Sequence, residues 1–360
     1  MRSFADIVLS SKIQTSAGLK ADNNLQRMQK ILLILLCIFT LSACHTDRQK
    51  AFMHKEEQTI EIYRYDRLQY EASLSNSVAA IQKMNMESPQ ATKILIEDVL
   101  GLGAVDSPKI NERVRDYYKD TVLVQVMTDV RNKFSDLTDL EEQFTKGFKR
   151  LKKELPDLVV PRIYTQISAL NQSVVVGDSL LGISLDKYLG EDYPIYKRYY
   201  YAFQRKSMNP ERILPDCFKF YLISQYPFGW EWEHRTLFDV LMYQGKIAWV
   251  VEKALKADGL GRVALGYSRE EVKWCDKKAK EVWEIMQTRN YMTSMDPMLI
   301  RAFASTDPNR ILKERNIPSG IGTWMGMQII ERYMKQHKDV TMDELLQCTD
   351  YHRILRDTRF

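Results

Sequence analysis

The segment Met28–Cys44, MQKILLILLCIFTLSAC, separates a leader from the part of the chain that has to fold. Lys30 supplies a positive start, Ile31–Leu41 is an almost unbroken apolar run, and Leu41-Ser42-Ala43 places small residues directly before Cys44. A membrane span needs about 20 apolar residues, so this shorter run has the layout of a secretory signal. Met28 reads as the natural start, and residues 1–27 carry no recognisable pattern. What remains, 44–360, is long enough for one large domain or two small ones.

The ending Leu-Ser-Ala-Cys resembles the bacterial lipobox, in which the cysteine thiol takes a diacylglycerol and becomes the mature N-terminus. Cys44 is therefore the expected lipidation site, and several acyl chains together anchor a protein firmly where one holds it only marginally. His-Thr-Asp-Arg-Gln-Lys follows without a run of acids. Surface-exported lipoproteins of the Bacteroidetes type usually carry an acidic cluster there, so the expected location is the outer membrane's periplasmic face. Residues 44–57 read as a lipidated tether, and 58–360 as the folded body.

Removing 1–43 takes away Arg2, Lys12, Lys20, Arg27 and Lys30 against Asp6 and Asp22, which lowers the formal charge from +5 to +2. No field suited to nucleic acid remains, and none is expected as a partner. With 45% apolar and 28% charged residues the body should bury a real core. Beyond Cys37 in the signal and Cys44, the cysteines are Cys217, Cys275 and Cys348. An odd number at wide spacings permits one bridge and implies no disulfide framework.

Thr59–Tyr65 alternates as a strand does, and the pattern turns helical from Leu68 to about Leu155. Val122, Val126, Val130 and Phe134 recur at four-residue spacing; Leu140, Phe144, Phe148 and Leu151 form a second stripe. Between Val159 and Leu185 the residues are β-rich, with Gly177-Asp178 as a turn signal. Helices are predicted again over about Asn209–Gln225, Thr236–Lys256, Ser268–Thr288 and Ile321–Gln336, with a short one from Met342. The expected fold is α+β and predominantly α-helical, with a small antiparallel sheet between helical segments.

The five histidines form no His-Glu-x-x-His pair, and no serine elbow, phosphate loop or dinucleotide fingerprint occurs. No catalytic residue, metal or cofactor is assigned on these grounds. Asp186, Glu191 and Asp192 cluster after a predicted strand, a pattern of solvated acids and helix caps that also suits a glycosidase or a cation. Gln244 falls mid-stripe in the helix Thr236–Lys256, and a buried amide costs about 1–3 kcal/mol unless it is bonded. Gly245 beside it implies a close backbone or ligand approach. Trp249, one turn on, completes a candidate groove with Gln244 and Gly245. Gly322 and Gly326 strip one helix face for tight packing. Tyr193, Tyr196, Tyr199, Tyr200, Tyr201 and Phe203, interleaved with Lys197, Arg198 and Arg205, form a strip that suits either half-buried packing or a glycan, lipid or protein partner.

Several blocks together resemble the gliding motility-associated lipoprotein GldB family of the Bacteroidetes. They are Ile60–Asp66, Pro161–Thr165, Leu181–Gly190 (LGISLDKYLG, the most specific), Met242–Lys246 and Ile321–Gly326. The resemblance spans nearly all of the mature chain and implies a non-catalytic envelope lipoprotein, with envelope protein partners, supporting assembly or stability of a gliding or protein-secretion apparatus. A fainter likeness is to gluzincin-type zinc peptidases, with Gln244-Gly245 in the Glu-Gly place. The preceding helix, Leu214–Tyr221, has neither His nor a catalytic Glu, and a neutral amide is a poor zinc ligand, which implies an inactive scaffold. The alternatives are a metal-independent hydrolase drawing on Asp186, Glu233 or His234, and a periplasmic module binding a glycan or lipid through the Tyr193–Phe203 strip or a peptide in the groove.

Overall fold

The structure, a computed structural model, describes residues 59–75, 78–229, 235–306, 308–313, 316–358 and 360. The signal segment, Cys44 and the tether lie outside the described residues, as do Glu233 and His234. Thr59–Phe360 forms one compact unit.

A short strand β1 (Ile62–Tyr63) leads into six helices: α1 (Tyr65–Ser75), α2 (Val78–Glu87), α3 (Pro89–Lys93), α4 (Ile110–Tyr117), α5 (Thr121–Lys133) and α6 (Thr138–Glu154). Three strands follow, β2 (Arg162–Gln166), β3 (Val174–Gly177) and β4 (Leu180–Ser184). The rest is helical: α7 (Pro194–Tyr199), α8 (Ala202–Arg205), α9 (Ile213–Gln225), α10 (Leu237–Leu255), α11 (Arg269–Thr288), α12 (Pro297–Ala304), α13 (Asn309–Leu312), α14 (Ile321–Gln336), α15 (Met342–Gln347) and α16 (Tyr351–Thr358).

The fold is thus α+β and predominantly helical, but the sheet is mixed rather than antiparallel. Its order is β1-β2-β4-β3. Only the β3–β4 hairpin is antiparallel; β2 runs parallel to β4, with Tyr164 beside Gly182, and β1 runs parallel to β2. The reason lies in the connections. The Gly177-Asp178 turn reverses the chain once, whereas residues 167–173 first carry it to the sheet edge, so β4 returns between its neighbours along β2's direction. The parallel β1–β2 pair needs a long crossover, which the first six helices supply. All five residues of β4 are buried, as expected of a central strand covered on both faces.

The helical stripes pack as their spacing requires. Phe144, Phe148 and Leu151 of α6 are buried, and Phe148 meets Phe218 of α9 with ring centroids 4.7 Å apart. Val122 is the exception: it sits in the first turn of α5 and is exposed. Thr236 begins α10 with a capping box shared with Asp239, and Lys256 ends it in the left-handed conformation. Ser268 and Thr341 cap α11 and α15 in the same reciprocal way with Glu271 and Glu344. Nearly every side chain of α10 is buried, which places this helix at the centre of the body.

Candidate functional site

The first group of sequence-selected residues meets at the end of the sheet. After β2, Ala169 and Leu170 hold φ of 53° and 66°, a left-handed conformation that non-glycine residues adopt only when something fixes it. That something is Asp186, in the turn after β4. The Ser168 N–H donates to its Oδ1 at 2.9 Å and the Leu170 N–H to its Oδ2 at 2.6 Å, while the Ser168 hydroxyl lies 3.2 Å from Oδ2. Asp186 is wholly buried, and burial pushes its carboxyl above the ordinary aspartate range against the pull of those donors. None of its surface reaches solvent. Asp192 is exposed and pairs with Lys197 at 2.9 Å, so the three clustered acids do not converge on a common point.

A knob made of the short helices α7 and α8 is fastened to this hub. The Tyr196 hydroxyl donates to the Asp186 carbonyl and accepts from the Leu189 N–H at 3.0 Å. The Tyr200 hydroxyl donates to the Leu170 carbonyl at 2.9 Å, and Lys187 Nζ donates to both at 3.1 Å. Tyr193 donates to Asp129 at 2.7 Å. The tyrosine strip is thereby sorted into two faces. Tyr193, Tyr196 and Tyr200 are packed inward, while Tyr199, Tyr201 and Phe203 are 60%, 75% and 44% exposed. The Tyr201 and Phe203 rings are parallel within 7°, with centroids 5.9 Å apart, and the Arg198 guanidinium lies 5.5 Å from the Tyr199 ring.

The second group lies where α10 crosses α14, and here the groove assignment is corrected. A Cβ on Gly245 would sit 2.5 Å from the Gly326 carbonyl carbon. The space that looked available to a ligand is filled by the backbone of α14. Gln244 is half-buried, and the Thr323 hydroxyl lies 2.9 Å from its Oε1 and 3.0 Å from the Ala304 carbonyl. The amide thus faces α14 and serves the helix seam.

Trp249 does border open space. A cavity of about 360 Å³ is lined by Leu151, Ala254, Met342 and Trp249, with Arg150, Lys153 and Lys253 among its polar members. Trp249 Nε1 donates to Glu331 at 2.5 Å, Lys253 pairs with the same carboxylate at 3.0 Å, and Arg150 holds the Ala254 carbonyl at 2.7 Å. The lining combines apolar side chains with charges of both signs, Glu154 beside the three cations. Among the described residues, no three His, Cys, Asp or Glu side chains are grouped so as to hold a metal. The three cysteines Cys217, Cys275 and Cys348 are free.

Lys246 is the residue that pattern reading missed. It is buried, donates to the Leu346 carbonyl at 2.7 Å and the Cys348 carbonyl at 2.9 Å, and sits between the rings of Tyr243 and Tyr351. The available signal was its position in the largely apolar stretch Val240–Val251 of α10, where a charge has to be enclosed. Burial lowers its pKa from 10.5 to about 8. Because the folded value is below the unfolded one, the native state holds fewer protons between those values, and stability rises with pH across that window. Relative to Lys246→Met, the wild-type protein is expected to gain up to about 3 kcal/mol between pH 7 and pH 10.5 in urea unfolding. Parallel pH profiles for the two proteins would contradict the assignment.

The geometry defines a helix-dominated α+β protein. Among the described residues, no helix is long and apolar enough to cross a membrane. The chain belongs to the gliding motility protein GldB family, which it matches over residues 46–360. No curated protein and no solved structure matches it. The family block Leu181–Gly190 coincides with β4 and the Asp186 hub.

Proposed function

We propose that this chain is a lipoprotein of the cell envelope, held through an acylated Cys44 to the periplasmic face of the outer membrane. It supports the assembly or stability of a gliding-motility or protein-secretion apparatus without itself cutting bonds. The family match carries this reading: it starts at residue 46, so the lipobox-like Leu-Ser-Ala-Cys abuts the family body directly. Support also comes from how the polar groups are engaged. Asp186 holds a strained loop, Gln244 serves a helix seam, and Lys246 ties two carbonyls of the C-terminal segment.

Cys44→Ala tests the anchor. The variant is expected to remain unlipidated and to leave the membrane pellet under a high-salt wash that screens headgroup contacts, whereas acyl chains found on the variant, or unchanged sedimentation after that wash, refute acylation at Cys44. Metal analysis tests the absence of catalysis by zinc: stoichiometric zinc in the purified protein overturns that part of the reading.

A further inference from the structure

Between Tyr193 and Ser207 the chain carries Lys197, Arg198, Arg205 and Lys206 and no acidic residue. The same stretch turns Tyr199, Tyr201 and Phe203 to solvent; among the described residues the only other exposed large aromatic is Phe220. The knob is held by the hydrogen bonds of Tyr196 and Tyr200, while the rings of Tyr199, Tyr201 and Phe203 are exposed. We propose that this face rests on anionic phospholipid headgroups of the membrane, with the three rings at headgroup depth and the cations against phosphate. The inference builds on the anchoring of Cys44 proposed above.

Two observations select a lipid surface. The first is charge complementarity. The four cations outnumber the two acids they meet, Asp192 and Glu271, and match a phosphate layer, while a neutral sugar gains nothing from them. Lys197 pairs with Asp192 at 2.9 Å and Lys206 with Glu271 at 3.8 Å, both in exposed contacts. Such pairs are worth little in water and exchange readily for phosphate. Aromatic rings beside Lys and Arg are also the side chains that settle at a membrane–water boundary. The second is the length of chain outside the described body. Residues 45–58 reach about 50 Å at full extension, so the anchor keeps the body close to the bilayer without choosing which face turns to it. The knob makes that choice.

Residues 45–360 contain the whole compact unit Thr59–Phe360 and lack the acylated thiol, which isolates this contact. That protein is expected to float with phosphatidylethanolamine–phosphatidylglycerol vesicles and to bind phosphatidylcholine vesicles several-fold more weakly. Tyr201→Ser with Phe203→Ser should lower partitioning into the anionic vesicles by about tenfold or more, with an unchanged unfolding midpoint because both side chains are exposed. No flotation, or flotation indifferent to the double substitution, overturns the proposal. So does retention on peptidoglycan sacculi in place of vesicles, which reassigns the face to a glycan. A body that ignores vesicles while Cys44 is found acylated fails the knob alone; an unmodified Cys44 fails the anchor alone.

Discussion

Gly326→Ala is expected to destabilise the protein by about 3 kcal/mol or more, or to prevent folding. Two effects of opposite sign compete at this position. Alanine in a helix interior gains about 1 kcal/mol over glycine. Against that, the added Cβ would overlap the Leu241 carbonyl oxygen and lie 3.2 Å from Gly245 Cα. These are backbone atoms, which cannot swing aside as a flexible side chain does, so α10 and α14 must separate along a buried seam. Overpacking of this kind typically costs 1–3 kcal/mol, and more where the opposing atoms are fixed. Gly245→Ala presses the same contact from the other side, at 2.5 Å. The double variant should therefore lose less than the sum of the singles. Urea unfolding of the three variants decides it: a stabilised Gly326→Ala protein means the helices do not approach as described.

Asp186→Ala has the second large expected effect, a loss of roughly 2–6 kcal/mol from two unsatisfied buried donors. The substitution leaves the Ser168 and Leu170 N–H groups buried without acceptors, each unsatisfied donor costing about 1–3 kcal/mol. It also removes what holds Ala169 and Leu170 left-handed; relaxation of that strain, about 1–3 kcal/mol each, offsets part of the loss and lets the loop change conformation. Asp186→Asn should be nearly as damaging as alanine despite its matching shape. One carboxylate oxygen receives Ser168 and the other receives Leu170, so an amide NH2 must face one of those donors. An Asn variant as stable as wild type, by urea unfolding, would show that a neutral side chain satisfies the loop. Because Tyr196 and Tyr200 hang from the same hub, both substitutions should also loosen the knob. Faster hydrogen exchange over residues 196–205 is the expected sign.

Much of this architecture could be read from the chain. Thr236, Ser268 and Thr341 each announced a helix start, because a hydroxyl before an acid three residues on satisfies otherwise unpaired amides. Ile321–Gln336 was delimited at both ends. Gly322 and Gly326 were legible as a packing face and Gly245 as a close approach; that Gly245 and Gly326 meet each other depends on how two helices cross, which no local pattern contains. Strand direction was illegible for a related reason. A period of two reads the same in either direction, so the parallel β2–β4 pairing awaited the path of residues 167–173. Asp186 was misassigned because a loop carboxylate has the same sequence signature whether solvated or enclosed, and the left-handed pair that encloses it, Ala169-Leu170, contains no glycine to mark it. The tyrosine strip was recognised but not divided, since inward and outward rings alternate irregularly through two short helices.

The most direct measurement is complementation in cells deleted for this chain, scoring gliding or protein secretion while quantifying the protein in each fraction. Wild type should restore the lost process, and Cys44→Ala should not, although the folded protein accumulates to a comparable level. Full restoration by Cys44→Ala, with the protein recovered away from membranes, would contradict an anchored support for that apparatus.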